Sequence, residues 1–438
     1  MPKAEKPTPQ AEALLLAALV VLAILIRWVS LPEMTNDMNI FRQWHNQLGR
    51  AGGWRGIGTE IGNYNAPFVY LLAFAYYLPG PLIFKVKALW IVFDVILAFF
   101  TYKTVALRWP GSRIPVAAAL VMVLLPTVAI NSSFYGQMDA AWAGAALAGV
   151  YFLLRDKPWW GVALCGVAVA IKPQGVFILP LVLLLVMAGR IPWRTLLAAP
   201  AVFLVLDLPA IAFGRNPIEL LTIYDMSRQA RNVPELSLRA PNVFAFIPAT
   251  TREDTVRMLG YLFCAALVVG VIYVLVAKAC KMTPERVVTA AALFAILVPF
   301  ALPGMHERYF YLADVMTLVL AVYRPRLWYV PLLVQASSLL SYEPYLFGRN
   351  SLMLPDVIPA ALMLAALIIV GYRLLSEAFV PEPVIQSSRR REARASSSSS
   401  GLIRTSRALL PSDGPTIPRV SMRSMRRPAL AKPTRSLR

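Results

Sequence analysis

The 438-residue chain is short of charge, of acids and of cysteine, and each shortage removes a class of protein. Only 15% of its residues are charged while 58% are hydrophobic. A soluble core cannot hide that much apolar surface, so lipid must be the solvent. The three cysteines, Cys165, Cys264 and Cys280, stand in apolar stretches with no CxxC pair or metal spacing, which leaves no redox motif or zinc site. Acids number 23 against 43 Lys and Arg, for a net charge of +20. Such a balance could serve nucleic acid. Many of the cations, however, sit in short hinges between apolar runs or in the C-terminal tail, which is the positive-inside pattern, so no nucleic-acid partner is expected. A signal-peptidase site is also missing after the apolar run 14–26, which therefore reads as an uncleaved first span.

What is present is a succession of apolar runs of spanning length, about 17 to 25 residues. They cover 12–28, 86–107, 114–130, 138–154, 193–213, 256–277, 287–302, 309–323, 327–340 and 354–374. Two shorter ones, 159–171 and 174–187, are separated by Lys172 and Pro173. The stretch 66–84 is apolar enough to cross but carries Pro67, Pro79, Gly80 and Pro81. If it crosses, the basic hinges at Lys103–Arg113, Arg155–Lys157, Arg190–Arg194, Lys278–Arg286 and Arg324–Arg326 fall outside. If it dips and returns, all of them fall inside, and the charge rule selects that arrangement. The expectation is an all-α polytopic membrane protein of about twelve transmembrane helices with both termini cytoplasmic. A cytoplasmic N-terminus (1–11) precedes the membrane domain (12–375), and a disordered basic tail (376–438) able to touch anionic lipids follows it. The extracytoplasmic segments are then 30–85, 131–137, 172–174, 214–255 and 303–308.

The unusual polar residues collect in those segments. Thr35-Asn36-Asp37 opens a stretch in which Ile40, Trp44 and Leu48 recur at helical spacing, predicting an interfacial helix with Asp37 at its start. Asp37 or Asn36 could simply cap that helix; as a functional group, Asp37 would take a proton from a hydroxyl or hold a metal ion. Gln137 and Asp139 head an Ala- and Gly-rich span, where an acid also suits the helix dipole. Lys172-Pro173-Gln174-Gly175 breaks a helical hairpin and sets a costly charge where the backbone opens, as at ligand sites built from broken helices. His306-Glu307-Arg308 is the densest ionisable cluster between two spans and suits an anionic group, because Arg makes paired hydrogen bonds to phosphate. In the long loop, Asp225, Arg228, Arg231, Glu235 and Arg239 run against the positive-inside bias, which suggests a ligand there.

The first four of these motifs, in this order and on one expected side of the membrane, resemble the GT-C glycosyltransferases, with most likeness to bacterial relatives of the second mannosyltransferase of GPI-anchor assembly. The resemblance covers residues 10 to 375. It implies juxtamembrane helices in the first loop, an active site outside the bacterial plasma membrane, and transfer of a hexose, mannose favoured, from a polyprenyl-phosphate carrier to a hydroxyl acceptor with inversion. Asp37 would be the base, and Lys172 and Arg308 the groups on the donor phosphate. Asn36, Gln137, Asp139, Gln174, His306 and Glu307 would orient sugar or acceptor. No cofactor is required; a divalent cation, if used, would be shared by Asp37 and Asp139. A transporter or flippase of lipid-linked saccharide and a non-catalytic assembly subunit are the rival readings. A transporter would place its polar groups at the midplane between repeats, and no repeat is evident between the halves.

Overall fold

A computed structural model describes residues 9–380 apart from 249–251, 349–350 and 353, so the tail from 381 onward lies outside the described residues. Among those described, the chain is almost wholly helical. α1 (Pro9–Ser30) turns bare leucines and valines outward, as a lipid-facing helix does. The first loop holds α2 (Asn36–Arg50) and α3 (Ala66–Tyr77), and α4 (Leu82–Arg108) follows after a Pro- and Gly-containing turn. At about 1.5 Å per residue, the twelve residues of α3 fall well short of a bilayer's hydrocarbon thickness.

α5 (Ile114–Leu124) is followed by α6 (Pro126–Ala129) and a π-helix over Ile130–Tyr135, the latter two bent 52° from α5. Pro126 causes the bend, since a proline disfavours helical geometry in the residue before it and lacks the N–H that would continue the ladder. α7 (Asp139–Leu154) and α8 (Pro158–Ile171) pack as a hairpin. Lys172 is extended because Pro173 follows it, and a 3-10 turn over Pro173–Ile178 leads into α9 (Leu179–Met187). Gly175 makes this possible: a Cβ there would lie 2.3 Å from the backbone of Ala168 and Val169. α10 (Ala198–Ala212) leads into the long loop, which holds the short α11 (Pro217–Leu221) and α12 (Met226–Asn232).

α13 (Glu253–Ala277), α14 (Pro284–Ala301), α15 (Tyr311–Tyr323), α16 (Val330–Phe347) and α17 (Val357–Ala378) complete the bundle. α14 is its centre, buried without a break from Val287 to Ala301 against α13, α15 and α17. Two two-residue strands, β1 (Ser237–Leu238) and β2 (Met305–His306), pair in parallel and tie the long loop before α13 to the turn after α14. Among the described residues, five stretches are long and apolar enough to cross a membrane unaided, and the bent pair 114–135 makes a sixth. The expected count of about twelve requires the shorter apolar helices to cross as well. α17 runs three residues into the segment expected to be tail.

α2 corrects one expectation. Its buried face is Met38, Phe41 and Leu48, with Trp44 partly covered, while Ile40 is exposed. Phe41 packs on Phe68 of α3 at 5.2 Å between ring centroids, and Phe68 stacks on Trp90 of α4 at 6.0 Å. Burial of each ring contributes about 1.5–3 kcal/mol. The face is chosen by these aromatic partners, and that choice fixes where Asp37 points.

Candidate active site

Thr35, and neither Asn36 nor Asp37, caps α2: its hydroxyl accepts from Met38 N at 3.3 Å and donates to the Tyr135 carbonyl at 2.7 Å. The second bond joins the start of α2 to the end of the π-helix. Asp37 is thereby not spent on the cap and stands in the first turn, at the wall of a cavity of about 400 Å³. Asn36, Tyr135, His306 and Arg308 share that wall.

The NH1 of Arg308 lies 3.4 Å from Asp37 Oδ2 and 2.9 Å from Glu307 Oε1, so one guanidinium nitrogen serves two carboxylates. Burial alone would pull Arg308 down, but Asp37 and Glu307 outweigh it and hold the group well above its ordinary value. Glu307 has no exposure, and His306 Nδ1 stands 3.6 Å from its other oxygen. The Arg308 Nε is buried and finds no acceptor. A guanidinium is thus presented to the cavity with a donor to spare.

Lys172 is fully buried and its Nζ lies 2.5 Å from Asp139 Oδ1 and 3.3 Å from Gln137 Oε1. Trp142 Nε1 donates to the same Asp139 oxygen at 2.8 Å, and Asn131 Nδ2 donates to the other at 2.7 Å. The ammonium expected on a phosphate is here spent on an acid. Both oxygens of Asp139 are likewise taken, so Asp37 and Asp139 do not fit a shared divalent cation. No group of three His, Cys, Asp or Glu able to hold a metal occurs among the described residues.

Two tyrosine rings cover Lys172, Tyr64 at 5.5 Å and Tyr309 at 5.9 Å from Nζ to centroid. Tyr64 also hydrogen-bonds Arg308, and burial raises its phenol far beyond the usual value despite that cation. It therefore stands between the Asp37 group and the Lys172 group. Sequence reasoning missed it, along with Tyr309 and Asn131; Tyr64 and Asn131 were signalled only by falling in segments expected to be extracytoplasmic, and Tyr309, at the start of an apolar run, only by adjoining Arg308.

Gln174 faces elsewhere. It lines a second cavity of about 360 Å³ whose walls are mainly apolar, among them Val169, Phe177, Tyr261, Leu302 and Tyr309. Its buried Oε1 has no partner, and Arg257 is the one cation on that wall. The predicted residues thus divide into three groups: Asn36, Asp37, His306 and Arg308 around one cavity with Glu307 behind, Gln137, Asp139 and Lys172 enclosed beside it, and Gln174 in the second.

The long-loop cations find protein partners instead of calling for a ligand. Arg228 meets Glu60 at 2.5 Å and Glu219 at 3.8 Å, and Arg239 meets Asp356 at 3.7 Å. Asp225 accepts from Ser227 N at 3.2 Å, and the Ser227 contact holds its carboxyl below the ordinary range.

Residues 63–303, more than half of the chain, match the family model of glycosyltransferase family 87. The matched region takes in Tyr64, Asn131, Asp139, Lys172 and Gln174 and stops short of His306–Arg308, while Asp37 precedes it. No curated protein matches the chain.

Proposed function

The chain belongs to glycosyltransferase family 87, and from that premise we propose that it moves a hexose, mannose favoured, from a polyprenyl-phosphate carrier to a hydroxyl acceptor on the outer face of a bacterial plasma membrane. The observation that carries the reading is the contact between Asp37 and Arg308 in one cavity. A carboxylate and a buried guanidinium with a free donor are what an inverting transfer from a sugar phosphate requires.

Asp37 takes the proton of the acceptor hydroxyl as its oxygen bonds to the anomeric carbon. The bond from that carbon to the phosphate oxygen breaks on the opposite face, and its electron pair leaves with the phosphate. Phosphate oxygens compete with Asp37 for Arg308, so donor binding would draw the guanidinium away and free the base. Arg308 then offsets the charge that grows on the leaving phosphate, and its unpartnered Nε supplies a second bond. Lys172 contributes no direct phosphate bond while Asp139 holds it; the pair supports the cavity wall through Tyr64. His306 and Asn36 remain to orient sugar or acceptor hydroxyls. The apolar second cavity beside Tyr309 suits a lipid chain.

The twelve-span topology belongs to the same proposal. Every apolar run read from the sequence coincides with a helix or a helix pair, and α3 is the short element that dips and returns. That arrangement sets Asp37, Asp139, Lys172 and Arg308 on one side of the membrane.

Asp37→Asn tests the base. The purified variant, given a polyprenyl-phosphate sugar and a glycolipid or glycan acceptor, should lose on the order of 10²–10⁴ in turnover while inserting and eluting as the native protein does. Full activity would remove Asp37 from the mechanism.

A further inference from the structure

Lys87 lies in the second turn of α4 and is fully buried. Its ammonium donates to three backbone carbonyls: Ser30 at 3.2 Å, Glu33 at 2.6 Å and Phe134 at 3.0 Å. Among the described residues no carboxylate stands within ion-pair distance of it. The three carbonyls come from the end of α1, from the turn that leads into α2, and from the last turn of the π-helix. Converging carbonyl oxygens repel one another and require donors once buried. An ammonium carries three and no acceptor, so it matches this cage in number and in sign.

Gly136 adjoins the cage in a left-handed conformation, φ +72°. A Cβ there would sit 3.2 Å from Lys87 Cε and 2.3 Å from Met38 Sδ, so the glycine leaves room both for the lysine stem and for the buried face of α2. Thr35 then adds its bond to Tyr135, the residue after Phe134. Asp37 follows Thr35 by two residues.

From this arrangement we infer that Lys87 is a positioning residue for the transfer: its ammonium acts as a tethered cation that holds the 30–35 turn on the π-helix and so places the Asp37 carboxylate. The inference rests on Asp37 being the base. The same cage explains why a buried lysine is present with no acid in contact, because carbonyl dipoles solvate the charge in place of water and the Glu33 carboxylate adds only a longer-range attraction. It also gives the π-helix a reason to exist, since the extra residue in its turn brings Phe134 O to Lys87 while Asn131 faces Asp139.

The experiment compares Lys87→Met, Lys87→Ala and Asp37→Asn as purified full-length proteins. Lys87→Met keeps the stem and removes the charge; its turnover should fall about 10–100-fold, the cost of a displacement near 1 Å, with the donor KM little changed. Lys87→Ala should lose as much and regain a several-fold part of it in propylammonium, whereas propanol at the same concentration should restore nothing. Wild-type turnover in Lys87→Met overturns the inference, and so does a folded Lys87→Ala that the amine cannot revive. Where Lys87→Met does not assemble, the alanine variant purified in propylammonium decides between these outcomes. Inactive Asp37→Asn beside unaffected Lys87 variants removes the clamp alone; active Asp37→Asn removes the base on which it rests.

Discussion

Lys172 Nζ and Asp139 Oδ1 are 2.5 Å apart with essentially no exposure of either side chain; Asp139 opens α7 and Lys172 follows the end of α8, 33 residues apart in sequence. Taking two charges out of water costs several kcal/mol per ion on the order-of-magnitude scale, and the pair with its extra donors from Trp142 and Asn131 offsets it. Lys172→Met should therefore strip Asp139 of its counter-charge and destabilise the fold by about 3–5 kcal/mol. The double variant Lys172→Met with Asp139→Asn should recover most of that loss. Thermal unfolding in detergent measures both, and additive losses would argue that the two groups do not act as a pair.

Arg308 should behave differently, because its partners face a cavity. Arg308→Ala removes charge-assisted bonds to phosphate worth about 1.5–3 kcal/mol, or roughly ten- to a hundred-fold in donor KM. Arg308→Lys should recover little of it, since a point ammonium cannot span Asp37, Glu307 and a phosphate as a planar fork does. Donor titration by initial rate decides this, and an unchanged KM would take the phosphate away from Arg308.

Gly175→Ala tests the close approach of the 3-10 turn to α8. A methyl placed 2.3 Å from backbone atoms forces the turn outward, at about 1–3 kcal/mol of stability. The melting temperature should fall, and Gln174, next to it, should lose its place in the second cavity. An unaltered melting temperature would mean the turn is free to shift.

Sidedness can be read with single cysteines, as the native three are buried. An impermeant maleimide should label Asn63→Cys in intact cells and Lys157→Cys only after permeabilisation, both residues being exposed. Labelling of Lys157→Cys from outside would reverse the positive-inside assignment and put the Asp37 cavity, with Lys172 beside it, on the cytoplasmic side.

The helices were legible because their signal is local. Apolar runs and the proline at 173 carry it, whereas the bend at Pro126 falls inside 114–130, which reads as one unbroken run. The gathering of Asp37, Arg308 and His306 at one cavity was legible only as an expected common side, through basic hinges alone. The face of α2 was not, since Ile40–Trp44–Leu48 and Met38–Phe41–Leu48 are equally good apolar stripes; Phe68 and the Tyr135 carbonyl select the second. The partner of Lys172 was hidden for the same reason, as nothing local distinguishes an acid 33 residues away from a phosphate. Lys87 gave no sign at all: a carbonyl cage has no residue type, and a lysine near a helix start reads as an ordinary interfacial charge.

The π-helix over Ile130–Tyr135 stores one more residue than an α-helix of equal rise would need. Substitutions within it change one contact at a time. A single deletion would let it relax into α form, and then Asn131 could not address Asp139 while Tyr135 addresses Thr35. Divergence among descendants of this chain is therefore free to alter letters in the segment long before it can alter its length.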